Sequence, residues 1–513
     1  MSTLLTLVAL VATGHLALGL AGLERPRTRL EWLATAALCG LALQLALAMA
    51  ALRAFGPLDP WAGRLVVFLP ALAGLALLAA RGLPPRRESE PAPGGPARLL
   101  LVALAGLVVV TAAGAPVHLF DATFHFAYKG TVLYHEGFAP AAFAELDGHV
   151  GRVMTHPTYP PGLGLLHVVA SWVDGAYSRD LARPLLALFA LAPAVWLHAS
   201  LRHRGPVAAR TAALLWLGLP ILYYLRTPHD DAHRALAGLV LGTDTAEAWL
   251  GGFPWHRADG PSLDGGGDLP LAAFLAAAVV HLARHLGLGG RRGDPADLLV
   301  VGLAVTGMLL VKNEGLALVA VLALAAGLAL VLGRWLGEPA PGLARPGAAL
   351  LALVLGALLV TPWYEFQRQI PELDESYPSQ LTVENLTRGF TVSEIQDSGD
   401  VAMTRAEFIV LEGLLAMAHP LTWNLLWYGF LVALALALRR PGRAHALGLS
   451  LPLLVVLGGL AVFGIILLVT PWNLGRLFAT GIPDRLYLQL APLVVWVLAL
   501  TMFSPRTATE EAP

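Results

Sequence analysis

The sequence predicts an all-α polytopic membrane protein, and three observations carry that prediction. Apolar runs of about 20 residues recur along the whole chain, the length needed to cross a hydrocarbon core ~30 Å thick. Only 13% of the 513 residues are charged, about half the ~25% usual in soluble domains. The arginines are sorted into every second link between the runs. The runs are continuous rather than alternating, which excludes a transmembrane β-barrel.

Thirteen spans follow in order. The first, 2–22, has no basic residue ahead of it and no small-residue cleavage site, so it reads as a retained span rather than a signal peptide. Runs 31–53 and 63–80 complete an N-terminal three-span bundle over residues 1–81. Cys39 falls mid-span, where a lone thiol acts as a small apolar residue and an intramolecular disulfide is excluded. Residues 82–98 form a Pro/Gly-rich cytoplasmic linker. A membrane core, 99–503, then carries spans 99–117, 183–201, 208–225, 269–286, 297–312, 315–333, 347–364, 420–438, 447–470 and 486–503, ahead of a short polar tail, 504–513.

The charge sorting fixes an expected topology. Arg25, Arg27 and Arg29 lie in one class of link, with Arg81, Arg86 and Arg87, Arg202, Arg204 and Arg210, Arg291 and Arg292, Arg334 and Arg345, and Arg439, Arg440 and Arg443. The positive-inside rule assigns that class to the cytoplasm. The N-terminus and the long loops 118–182, 226–268 and 365–419 then fall outside, and the tail inside. Loop 365–419 is expected to fold into a small cap. This arrangement holds only if "PGLGLLHVVASWVD", 161–174, does not span. At about 14 residues it is too short to cross and reads as an interfacial or re-entrant surface helix. No repeat of 20–50 residues is present.

Candidate chemistry sits on the outer side. Asp121, in "FDATFHFAYKG", lies at the mouth of loop 118–182, where a carboxylate can accept a proton from a hydroxyl or cap a helix. Lys129 and Lys312 are the only lysines among 34 basic residues. A compact ammonium at a membrane boundary suits a phosphate, and snorkelling is the simpler alternative. "VKNEG" packs Lys312, Asn313 and Glu314 into a very tight turn between two spans. Ionisable groups at such depth pair with one another or serve a site. Asp268 begins a span after a glycine run, as a cap or as a second acid. Asp230 and Asp231, beside His229 and His233, form a possible divalent-metal group. His156 and Tyr159 precede the Pro pair of "HPTYPPG". Arg476 and Arg485 bring guanidinium groups to the outer ends of the last spans, as phosphate clamps or interfacial anchors. His281 and His285 read as a basic helix end that favours the dipole.

Together "GGGDLPLAAF", "VKNEGLAL" and "PDRLYLQLAPL", after an Asp-bearing outer loop, resemble bacterial membrane glycosyltransferases of the GT-C fold over roughly 99–503. The outer loop also resembles that of protein O-mannosyltransferases and lipid A aminoarabinose transferases. The resemblance implies a polyprenyl-phosphate-linked sugar as donor, transfer on the outer face of a bacterial-type cytoplasmic membrane, and Asp121 as the base activating the acceptor. The acceptor would be a glycan, a lipid or a protein, and nucleic acid has no role. The family pairs two acids in the loop, whereas Ala122 follows Asp121 here. The second carboxylate is therefore expected from Asp268 or from Asp230 and Asp231. His156 and Tyr159 stand where relatives contact the donor, replacing the charged residues of the aminoarabinose group. A lipid-linked substrate flippase is the rival reading, and would favour ionisable groups at the bilayer midplane and two related halves.

Overall fold

The computed structural model describes residues 1–22, 28–82, 96–114, 126–143, 158–223, 263, 266–288, 293–337, 344–370, 405–470 and 481–503. Among these, every regular element is a helix. Asp121, His156, Asp230, Asp231 and Arg476 lie outside the described residues, as do most of the 82–98 linker and the tail.

The helices are α1 (Ser2–Leu20), α2 (Arg29–Phe55), α3 (Pro60–Arg81), α4 (Pro96–Gly114), α5 (Tyr128–Glu136), α6 (Gly162–Asp174), α7 (Ala187–Leu201), α8 (Pro206–Leu217), α9 (Asp268–Leu286), α10 (Pro295–Val311), α11 (Glu314–Trp335), α12 (Ala344–Leu358), α13 (Thr361–Gln367), α14 (Arg405–Ala418), α15 (Leu426–Arg439), α16 (Ser450–Val469) and α17 (Ile482–Met502), joined by short turns. Nine are long and apolar enough to cross a membrane, counting α7 with its flanking turns, or ten if the bent pair α12–α13 is one span. The remaining predicted spans coincide with the shorter α8, α10 and α15. α10, at 17 residues, rises about 26 Å at ~1.5 Å per residue, slightly under a full hydrocarbon thickness.

Several predicted spans are cut by local chemistry. Run 347–364 bends by 44° between α12 and α13, because Pro362 lacks an N–H and its ring crowds the carbonyl of Leu358. Run 208–225 ends its helix at Leu217, before Gly218 and Pro220. In run 420–438, Asn424 at φ 54° separates a short Pro420–Trp423 turn from α15. Starts follow capping rules. Asp59 accepts the N–H groups of Trp61 and Ala62 ahead of α3, and Asp294 and Asp297 form a reciprocal capping box around Pro295.

The first three helices meet backbone to backbone. A Cβ at Gly14 would lie 1.8 Å from the Ala36 carbonyl oxygen, and one at Gly40 would lie 1.8 Å from that of Leu10. In lipid, helices gain little from hydrophobic burial, so close approach at small residues supplies the contact energy. Gln44 adds a polar tie, donating to Thr13 Oγ1 and to the Val67 carbonyl, each at 2.9 Å. These helices are also knit to the rest. Trp196 Nε1 donates to Thr35 Oγ1, Arg284 pairs with Glu31 at 2.6 Å, and Arg64 donates to the carbonyls of Trp172 and Asp174.

Contacts sort the helix ends into two layers. At one end, Arg81 reaches the Gly19 carbonyl, Arg284 reaches Glu31, and His285 reaches the Arg345 carbonyl. Arg204 there donates to the carbonyls of Leu447, Leu500 and Phe503. This is the arginine-rich layer. At the other end, Ser2 meets Asp174, Gln367 meets Thr158, and Lys312 meets Asp268 and, through it, Arg485.

α6 begins and ends in that second layer. A Cβ at Gly162 would lie 2.4 Å from the Leu310 carbonyl oxygen, and Arg64, near the start of α3, reaches its last turn. It does not cross the bundle, as its length predicts. The surface placement is corrected, however: Leu165, Val168, Val169, Ala170 and Trp172 are each 0% exposed. α6 is covered by protein along most of its length, with His167 partly exposed and Asp174 exposed at its end. A uniformly apolar stretch of this length reads the same whether protein or lipid covers it, so composition alone could not tell the two apart.

The reading of His281 also changes. Its ring is fully buried, with Nδ1 2.6 Å from Asp297 Oδ1 and Trp196 at its edge. It is half of a buried pair rather than an exposed basic end, while His285, on the Arg345 carbonyl, keeps the helix-end character.

Candidate functional site

Four helix ends converge on one buried ionic network. Asp268 is the first residue of α9, after the glycine run. A Cβ at Gly267 would press to 3.1 Å from Lys312 Cγ and 3.3 Å from Phe126 Cζ, so the glycine lets the lysine stem pass. Lys312 ends α10 in extended conformation, Asn313 turns the chain, and Glu314 opens α11. The tight turn predicted from "VKNEG" is therefore two residues long, and the Asn313 carbonyl accepts from Leu316 N. Arg485 and Gln489 are four apart on α17 and share one face.

The bonds form a chain. Lys312 Nζ donates to Asp268 Oδ1 at 2.7 Å and to Glu314 Oε1 at 3.0 Å. Gln489 Nε2 donates to the same Asp268 Oδ1 at 2.7 Å, and Arg485 Nε donates to Oδ2 at 2.9 Å. Side-chain exposure is 5% for Asp268 and 7% for Lys312, rising to 12% for Glu314 and 19% for Arg485. Two carboxylates face two cations, as burial requires, since an uncompensated charge there would be costly. The helix ends explain the sidedness. α9, α11 and α17 carry Asp268, Glu314 and Asp484 in their first turns, where the positive end of each helix dipole favours an anion.

A second group stands near the first: Phe126, three residues before Lys129, reaches Gly267 next to Asp268. Lys129, at the start of α5, is fully buried; its Nζ donates to the Tyr159 carbonyl and lies 5.5 Å from the Trp363 ring centroid. Burial holds its ammonium down at about 7, far below the usual lysine value. Gln367 donates to the preceding carbonyl, Thr158, at 2.8 Å. Consecutive carbonyls of the strap before the Pro pair are thus pinned from two helices. On the far side, Trp423 Nε1 donates to Asp484 Oδ1 at 3.3 Å, and Thr422 meets His419 Nδ1 at 3.1 Å.

The structure therefore gathers Asp268, Lys312, Glu314 and Arg485 around one point, sets Asn313 in their turn, and puts Lys129 and Tyr159 in the neighbouring group. Sequence reasoning missed Gln489, Gln367 and Asp484. A signal for Gln489 existed, because a lone amide one turn beyond Arg485 in an otherwise apolar helix needs a partner. Among the described residues no group of three or more His, Cys, Asp and Glu side chains could hold a metal; the Asp230–Asp231 group lies outside them.

Against known proteins, the chain matches no family model, no curated sequence and no solved structure.

Proposed function

We propose that this chain is a membrane glycosyltransferase of GT-C type, with thirteen spans, moving a sugar from a polyprenyl-phosphate donor to an acceptor hydroxyl on the outer face of a bacterial-type cytoplasmic membrane. The observation that carries the reading is the buried network of Asp268, Lys312, Glu314, Arg485 and Gln489 at the long-loop end of the bundle. Ionisable groups are expensive at that depth and mark function more often than packing.

In this scheme Asp121 takes the proton of the acceptor hydroxyl, the hydroxyl oxygen bonds to the anomeric carbon, and the bond from that carbon to the phosphate oxygen breaks. The sugar inverts, and polyprenyl phosphate leaves. Both oxygens of Asp268 are engaged by donors, which favours it as the group that orients Lys312 and Arg485. The second acid of the reaction then falls to Asp230 or Asp231. Arg485, the most exposed member of the network, meets the donor phosphate with Arg476, while His156 and Tyr159 contact the donor from the strap.

The test is transfer from radiolabelled polyprenyl-phosphate sugars by purified protein, wild type against Asp121→Asn. Loss of turnover by at least about 100-fold in the variant is expected for removal of a general base. Equal turnover by both removes Asp121 from its role. Translocation of the labelled lipid across vesicles without transfer would establish the flippase reading instead.

A further inference from the structure

The hydrogen-bond chain through the network stops at an unfilled acceptor at each end. Glu314 uses Oε1 for Lys312, and its Oε2 is buried with no donor among the described residues. Gln489 is 0% exposed, and its Oε1 is likewise buried with no donor among them. Amide orientation is often ambiguous, but chemistry settles it here. The Asp268 carboxylate, held by Lys312 and Arg485, only accepts, so Gln489 must turn its NH2 toward Asp268 and its oxygen away.

Charge narrows what such a pair can meet. Glu314 Oε2 is a carboxylate oxygen and Gln489 Oε1 an amide oxygen, so neither attracts an anion. Two acceptor oxygens side by side with that network suit a neutral group rich in O–H donors. We propose that Glu314 Oε2 and Gln489 Oε1 read hydroxyl groups of the lipid-linked sugar, an assignment that rests on the glycosyl-transfer reading for the identity of the ligand. Both oxygens are shielded in the structure described, so the sugar reaches them only when the helix ends around them open. Specificity follows, because a site built around a hydroxyl leaves its buried acceptors unpaired when an analogue lacks one.

The experiment measures binding and transfer on the same nanodisc samples. Ligands are polyprenyl phosphates bearing glucose, mannose, galactose or arabinose, the monodeoxy forms of each, and bare polyprenyl phosphate. The best sugar-bearing lipid should bind wild type at least about tenfold more tightly than the bare lipid. Gln489→Leu deletes one acceptor. Glu314→Gln keeps the shape and an oxygen for Lys312 but presents a donor in place of the other acceptor. Each should reduce the preference for sugar over bare lipid, and for parent over one deoxy form, by more than any change in bare-lipid affinity, with folding checked by circular dichroism and thermal melting. The inference is overturned if no sugar-bearing lipid outbinds the bare lipid, or if both variants keep the wild-type preferences. Sugar preference that is lost in the variants, in a protein that transfers nothing, would sustain the inference while removing the enzymatic reading.

Discussion

Lys312 and Asp268 meet at 2.7 Å across 44 positions of sequence, joining the end of α10 to the start of α9. Removing one partner leaves the other charged and buried. Lys312→Met is expected to destabilise the protein by about 3–5 kcal/mol, the cost of breaking a buried pair. Lys312→Met with Asp268→Asn should recover much of that loss. Thermal unfolding in detergent measures both, and a double variant no more stable than Lys312→Met would mean that the pair is not coupled.

Lys129 makes stability depend on pH in a defined direction. Its folded pKa of about 7 lies below the unfolded value of 10.5, so between those values the unfolded chain holds the extra proton. Stability is therefore expected to rise as pH goes from 7 toward 10.5, with a slope approaching ~1.4 kcal/mol per pH unit from this group. Below about 7 its contribution is flat and unfavourable. Lys129→Met should remove that slope, and the difference in melting behaviour between wild type and variant across pH 6–9 is the measurement. Parallel curves for the two proteins would show that Lys129 is not held neutral.

Gly14 and Gly40 allow α1 and α2 to touch through their backbones. Gly14→Leu would drive a side chain into the Ala36 carbonyl, and should cost at least the ~1–3 kcal/mol of an overpacked core. Gly106→Leu, on α4 where nothing lies within 4 Å, should be neutral or slightly stabilising. Equal melting temperatures for the two variants would contradict the close approach.

Sidedness can be read with a membrane-impermeant maleimide. In a Cys39→Ser background, Ala54→Cys, exposed in the last turn of α2, is expected to label in intact cells. Arg440→Cys, exposed in the arginine-rich layer, is expected to label only after permeabilisation. The opposite pattern would invert the topology.

What the sequence revealed follows from what each feature depends on. Helix positions were legible because a lipid solvent demands long apolar runs: among the described residues nine of the runs coincide with helices long enough to span, and the others fall on shorter or bent ones. Charge sorting was legible in part, since Arg81, Arg204 and Arg345, from three of the sorted links, share one layer among the described residues. Lys312 and Glu314 stood out as charges inside an apolar stretch. Partner choice was not legible. Nothing local tells Gln489 that Asp268 lies opposite, or His281 that it faces Asp297, because tertiary packing alone brings those helices together. Helix ends at Leu217 and Leu358 were overrun because hydropathy ignores the breaks that Gly and Pro impose on a backbone.

The ties from α1–α3 to the rest bear on how such a chain is inherited. Trp196, Arg284 and the last turn of α6 each complete their hydrogen bonding with residues from the first 81 positions. A descendant that lost those positions would carry an orphaned indole, an unbalanced guanidinium and an uncovered α6. The N-terminal trio and the core should therefore be gained, lost and varied together, with substitutions at Thr35, Glu31 and Arg64 tracking those at the positions they serve.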